Sequence, residues 1–93
     1  PFGPSNAVPV FIAKSVVDSG YAKRVGKDQK HLRLNIKKDN KFFSAIGFGL
    51  GNLLDITKNH QEFDICYTIN ENEWQGKKKI QLNILDLKSS VKK

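Results

Sequence analysis

The stretch His31-Leu32-Arg33-Leu34-Asn35-Ile36-Lys37 alternates polar and apolar residues without a break. Successive side chains of a strand point to opposite faces. Leu32, Leu34 and Ile36 therefore face a core, and Arg33, Asn35 and Lys37 face outward. The same period recurs downstream. Phe63, Ile65, Tyr67 and Ile69 share one side of the run from Phe63 to Asn70. Ile80, Leu82 and Ile84 share one side of a last run, which continues into Leu85-Asp86-Leu87. Lys41 to Phe48 is rich in aromatic and β-favouring residues. Phe11 to Val17 opens the series and extends through Tyr21 to Val25. Ser19-Gly20 inside it predicts a bulge or sharp bend.

Turn-forming residues separate these runs at Gly26-Lys27-Asp28, Lys38-Asp39-Asn40 and Asn72 to Gly76. Helical spacing occurs between Gly51 and Asn59. There Leu50, Leu53, Leu54 and Ile56 cover one face and Asn52 lies near the start. So short a helix must pack on the strands to persist. The order is strand, strand, strand, short helix, strand, strand. It predicts a mainly β domain, a five-stranded OB-fold Greek-key barrel with one short helix between strands 3 and 4. An SH3-like barrel is the rival, but it more often carries its helical turn just before the last strand.

Ninety-three residues, 39% of them hydrophobic, suffice for one domain with a modest core. No apolar run approaches the roughly 18–20 residues of a membrane-crossing helix, and no leader pattern opens the chain. The single cysteine, Cys66, cannot form an internal disulfide. A reducing cytoplasm is the expected compartment, with no membrane partner. Methionine is absent and the chain opens Pro1-Phe2-Gly3-Pro4. The expectation is a fragment of a longer protein; a processed small protein is the alternative.

Sixteen lysines and arginines face nine acids, for a net charge of +7. The excess is clustered. Lys23, Arg24, Lys27, Lys30, Arg33, Lys37, Lys38 and Lys41 are offset only by Asp28 and Asp39. Lys77, Lys78, Lys79, Lys88, Lys92 and Lys93 are offset only by Asp86. The acids Asp55, Glu62, Asp64, Glu71 and Glu73 collect between these stretches. Two basic stretches folded side by side would make a face that attracts a polyanion, and nucleic acid is the first partner to consider.

Catalytic constellations are not apparent. His31 and His60 lie far apart, and neither has metal-ligand spacing with Cys66. Cys66 reads as an inert thiol and Glu62 with Asp64 as a solvated edge. Gly47-Phe48-Gly49-Leu50-Gly51 lacks the Lys-Ser/Thr of a phosphate-cradling loop, and glycines there clear space for the helix. No catalytic residue, metal ligand or cofactor is assigned to these residues.

Single-strand binding needs a basic groove and aromatic faces on which bases stack. Arg33, Asn35 and Lys37 share the wet face of their strand, which could equally be a plain solvated surface. Lys79, Gln81 and Asn83 lie outward on the last strand if Ile80, Leu82 and Ile84 lie inward. Trp74 sits beside Lys77, Lys78 and Lys79 at a hairpin tip. It is either a stacking platform or a lid folded back on the barrel. Lys23, Arg24 and Lys27 mark the loop between strands one and two, which flanks the groove of this fold together with the loop between strands four and five. Phe42 and Phe43 face opposite ways, with Phe42 expected outward. The candidate nucleic-acid-binding residues are Lys23, Arg24, Arg33, Asn35, Lys37, Phe42, Trp74, Lys77, Lys78, Lys79 and Gln81.

Several blocks resemble a known family. Pro1-Phe2-Gly3-Pro4-Ser5-Asn6-Ala7-Val8-Pro9-Val10-Phe11 is similar to a "PFG-x-GN-x-x-P-x-F" segment of the bacterial RecJ exonucleases, with Ser5 at a usual glycine and Ala7 at a common proline. Val25-Gly26 followed by His31-Leu32-Arg33-Leu34 resembles their "vG…HL-x-L" pair, and Ala45-Ile46-Gly47-Phe48-Gly49 their "aigFg". Asn72-Glu73-Trp74-Gln75-Gly76, then Ile80-Gln81-Leu82 and Asp86, resembles the ending of the same region. The blocks occur in order over nearly the whole chain.

The resemblance implies a single-stranded-DNA-binding OB domain of a 5′-to-3′ exonuclease that acts in recombination and repair. Residues 1–10 would connect from an upstream catalytic core, 11–88 would form the OB domain, and 89–93 a disordered basic tail. The parent's hydrolytic chemistry would belong to a Mn2+ or Mg2+ centre in domains whose aspartate–histidine motifs are not in this sequence. Expected partners are single-stranded DNA and the catalytic domains of the parent chain. The competing readings are an OB-fold protein-docking or structural domain with little nucleic-acid affinity, and an RNA-binding OB domain.

Overall fold

The computed structural model describes residues 8–90, apart from the side chain of Trp74. The expected connecting segment therefore falls mostly, and the expected basic tail partly, outside the described residues. Six strands form: β1 (Phe11–Asp18), β2 (Lys23–Val25), β3 (His31–Lys38), β4 (Lys41–Gly47), β5 (Phe63–Trp74) and β6 (Lys77–Ser89). A 3-10 turn spans Lys27–Gln29, and a 3-10 helix spans Gly51–Thr57 between β4 and β5. No helix among the described residues is long and apolar enough to cross a membrane.

The strands make one sheet in the order β1-β5-β6-β4-β3-β2. This corrects the expected five-stranded Greek-key barrel. The architecture is a mainly β sheet of six strands, and the physical reason is the break in the first predicted strand. Gly20 takes a φ of +111°, the left-handed region that glycine enters without strain. The carboxylate of Asp18, only 3% exposed, turns back on the chain. Its Oδ2 accepts the backbone N–H groups of Gly20 and Ala22, each at 2.8 Å. Its Oδ1 accepts the N–H of Asn35 at 2.9 Å. Donors that would have continued a ladder are thereby spent on a carboxylate. β1 ends at Asp18, and β2 restarts at Lys23 paired with β3 alone. The sheet keeps an edge there.

A bulge moves β1 from one neighbour to another. Ala13 pairs with Ile65 and Val16 with Phe63, so Lys14 and Ser15 together oppose Asp64. Ser15 adopts a φ of +58° and gives its N–H to Asp64 Oδ1 at 2.9 Å. Beyond the bulge, Val17 and Asp18 pair with Lys37 and Ile36 of β3. A second bulge lies in β6, where Asp86 pairs with Cys66 but Ile84 with Tyr67, leaving Leu85 unpaired. That extra residue flips the parity. Leu82 and Ile84 are buried on one side of it and Leu87 on the other.

The core takes the alternating residues of each strand: Leu32, Leu34 and Ile36 from β3, Ala45 from β4, Phe63 and Ile65 from β5. Fully burying an aliphatic or phenyl side chain contributes about 1.5–3 kcal/mol, so this layer dominates the favourable energy. Two residues expected inward are not buried: Ile69 is 45% and Ile80 53% exposed. The β5–β6 hairpin extends past the core at that level.

The helix packs Leu54 into the core with Leu50, Leu53 and Ile56 at its margin. It has no side-chain cap. Gly51 gives its N–H to Lys30 O at 2.8 Å. A Cβ there would fall 2.7 Å from Gln29 O, so the backbones touch only because residue 51 is glycine.

Two outcomes follow from the carboxylates. Asp18→Ala strands three N–H groups and should cost about 3 kcal/mol in denaturant unfolding; an unchanged midpoint would refute the role given to Asp18. Asp64 is held below its ordinary carboxyl value of 3.8, first by the Ser90 hydroxyl at 2.5 Å and then by the Ser15 N–H. A depressed folded pKa stabilises above the unfolded value and is lost as pH falls through the folded one. Asp64→Asn should therefore melt earlier than wild type at pH 7, with the gap closing below about pH 3.8. A gap that widens in acid would contradict this.

Candidate nucleic-acid interface

The interface follows from register. Residues directly opposite one another on paired strands share a face. Arg33 lies across from Ile46, Asn35 from Ser44 and Lys37 from Phe42. Ser44 in turn aligns with Gln81, and Ile46 with Asn83. Gln81 pairs with Asn70, Asn83 with Thr68 and Lys79 with Asn72. Lys23 of β2 pairs with Arg33. One continuous face therefore runs from Lys23 through β3 and β4 to β6 and β5, on the side away from Leu32, Leu34 and Ile36.

Most candidate residues meet on this face: Lys23, Arg33, Asn35, Lys37, Phe42, Lys79 and Gln81. Phe42 is 58% exposed. The Lys37 ammonium sits 6.0 Å from the centroid of its ring, at the outer reach of a cation–π contact. Lys77 has the parity of Lys79, at the outer end of the hairpin. Lys78 has the opposite parity and stands across from Glu73. The backbone of Trp74 pairs with Lys77, but its side chain lies outside the described residues.

Arg24 goes elsewhere. It pairs with Leu32, on the core side, and its Nε donates to Gly51 O at 2.9 Å. Its guanidinium ties β2 to the 3-10 helix.

Alternation also sorts the acids. On the β5–β6 hairpin, Glu71 and Glu73 oppose Ile80 and Lys78, whereas Asn70 and Asn72 oppose Gln81 and Lys79. The side carrying Lys77, Lys79 and Gln81 therefore has amides where the other side has carboxylates. The ion pair found among the described residues, Lys58–Asp55 at 3.6 Å, lies near the helix and far from these bases in the chain. That pair does not involve Lys23, Arg33, Lys37 or Lys79.

Sequence reasoning left Tyr21, Ser44 and Ile46 unmarked. Tyr21 follows the Gly20 bend and is 71% exposed. With Lys23, Arg33, Asn35 and Ser44 it lines a cleft of about 630 Å³. Its signal in the sequence was an aromatic residue next to a bend and two residues before a basic pair.

His31 serves the fold. His31 Nδ1 accepts the Gly49 N–H at 2.9 Å, and its ring meets Phe48 edge-on at 5.3 Å. Cys66 is a half-buried free thiol. Among the described residues no three of His, Cys, Asp and Glu are placed to hold a metal ion.

Comparison with known proteins agrees with this architecture. Residues 1–86 match the RecJ OB domain family. A relative, the "Single-stranded-DNA-specific exonuclease RecJ" of Bacillus subtilis (strain 168), is 28% identical over 87 residues, which cover 92% of this chain. The matched region spans 11% of that protein's length. The crystal structure of an SSB domain from Synechococcus sp. superposes with a TM-score of 0.64 over 88% of this chain and 96% of that one, at 13% identity. The sheet is thus OB-like, and the chain belongs to the RecJ OB domain family.

Proposed function

We propose that this RecJ-family OB domain grips single-stranded DNA on the face built by β3, β4 and β6, as the substrate-holding module of a 5′-to-3′ exonuclease acting in recombination and repair. The observation that carries this reading is the cross-strand register. It joins Arg33, Asn35 and Lys37 to Phe42, Lys79 and Gln81, from strands far apart in sequence, while Glu71 and Glu73 take the other side of their hairpin. Lysine and arginine meet phosphates. Phe42 gives a base a stacking surface. Asn35 and Gln81 give donors and acceptors to base edges. Stacking on such a surface is sequence-tolerant because every base has a π-face. The B. subtilis relative is a single-stranded-DNA-specific exonuclease, which supports the choice of ligand.

Hydrolysis is assigned to other domains of a parent chain. A Mn2+ or Mg2+ centre needs clustered carboxylate or imidazole ligands, and the described residues bring none together. The domain's part is to hold the strand and deliver its end. A cytoplasmic location suits such a role. The second reading, a protein-docking domain, is favoured by one feature. Behind the hairpin, an apolar cleft of about 350 Å³ is lined by Phe43, Tyr67, Ile69, Ile80 and Leu82. The parent's catalytic domains are the partner proposed for that side.

Fluorescence anisotropy with a labelled oligonucleotide tests the proposal. Affinity should fall steeply with salt, with a log–log slope of about −0.7 per phosphate neutralised. Arg33→Ala should weaken binding by about 1–3 kcal/mol if the guanidinium stacks on a base. A folded domain that binds no single strand at low salt would leave the docking reading in its place.

A further inference from the structure

We infer that the cleft beneath Tyr21 is a subsite for one nucleobase that presents a carbonyl oxygen, stacked on Tyr21 and read by the side-chain amide of Asn35. The inference rests on the single-strand reading above and deepens it.

The backbone on both sides of Tyr21 is held. The residues on either side of it, Gly20 and Ala22, give their N–H groups to the buried Asp18 carboxylate. The loop is therefore pinned at two points with the aromatic ring between them, 71% exposed. A pinned, exposed aromatic pays little entropy when a base stacks on it. Nothing lies within 4 Å of where a Cβ on Gly20 would project, so the approach beside the ring is open.

Asn35 is oriented by its partners. Its backbone N–H goes to Asp18 and its carbonyl accepts the Ser19 N–H at 2.9 Å. Its side-chain Oδ1 accepts the Ser19 hydroxyl at 2.8 Å. That bond engages one lone pair of Oδ1 and leaves the Nδ2 amino group, with its two donors, free to meet a ligand. A base edge with a carbonyl oxygen complements it. Thymine offers such oxygens; adenine can accept only at its ring nitrogens, and the two-bond pairing of an Asn amide with adenine N6 and N7 needs the Oδ1 that the Ser19 hydroxyl already engages. Ser44, across from Asn35, can donate or accept and adds no bias of its own. Lys23 and Arg33 are cross-strand neighbours on the cleft wall, placed for the adjoining phosphates. A volume of about 630 Å³ lies within the range of small-molecule sites, roughly 300–1,000 Å³.

The test titrates wild type, Tyr21→Ala and Asn35→Ala with oligo(dT) and oligo(dA) of equal length at low salt. Circular dichroism confirms that each variant is folded. Wild type should prefer dT severalfold. Tyr21→Ala should weaken dT binding about tenfold, in the range of lost base stacking. Asn35→Ala should shrink the dT-to-dA ratio at least threefold, which discounts any preference set by self-stacking of dA. Salt-dependent binding with wild-type affinity in Tyr21→Ala, or an unchanged ratio in Asn35→Ala, overturns the subsite and leaves the single-strand reading standing. Failure of wild type to bind either oligonucleotide overturns both.

Discussion

One buried carboxylate organises the end of the sheet where the face begins. Asp18 gathers N–H groups from Gly20, Ala22 and Asn35. Each bond involves a charged acceptor, and such bonds are roughly twice as strong as neutral ones. Together they break the first strand, fix the loop that follows and lock that loop to β3. The placement of Tyr21 and Lys23 beside Arg33 and Asn35 is a consequence. A neutral apolar residue at position 18 would leave these donors unpaired and the loop free to reorganise.

From that anchor, alternation does the rest. A strand cannot put neighbours on one side, so every core residue of β3 commits the next residue to the face. The β4–β6 pairing is parallel and short, with Ser44, Ala45 and Ile46 against Gln81, Leu82 and Asn83. It nevertheless joins the two basic stretches of the sequence. Exposed lysines contribute little singly because water and salt screen them. Their effect is collective and depends on the acids facing elsewhere, which the parity of β5 ensures.

Much of this was legible in the sequence. The unbroken alternation of β3 gave both of its faces, and the bend at Ser19-Gly20 was visible as a glycine inside an apolar run. What could not be read was that the bend severs the strand, because that depends on Asp18 finding Asn35, a partner 17 residues away. The same limit hid both bulges. Ser15 and Leu85 look like ordinary strand residues until their partners, Asp64 and the Cys66–Tyr67 step, are known. Without the hairpin's reach beyond the core, Ile69 and Ile80 read as buried. Arg24 looked like a groove residue because its charge was visible and its carbonyl partner, Gly51 O, was not. Composition and period set the class and the outward residues. Long-range hydrogen bonds set the strand count and decided which basic side chains share the face.

On the proposed reading, β3, β4 and β6 present one continuous face to a single strand. An NMR titration of the 15N-labelled domain with a short single-stranded DNA tests it most directly. Amides of Arg33, Asn35, Ser44, Ile46 and Gln81 should shift together along a single binding curve, while those of the 3-10 helix at Gly51–Thr57 stay fixed. Shifts confined to the helix and the apolar side of the hairpin, with β3 unmoved, would contradict it.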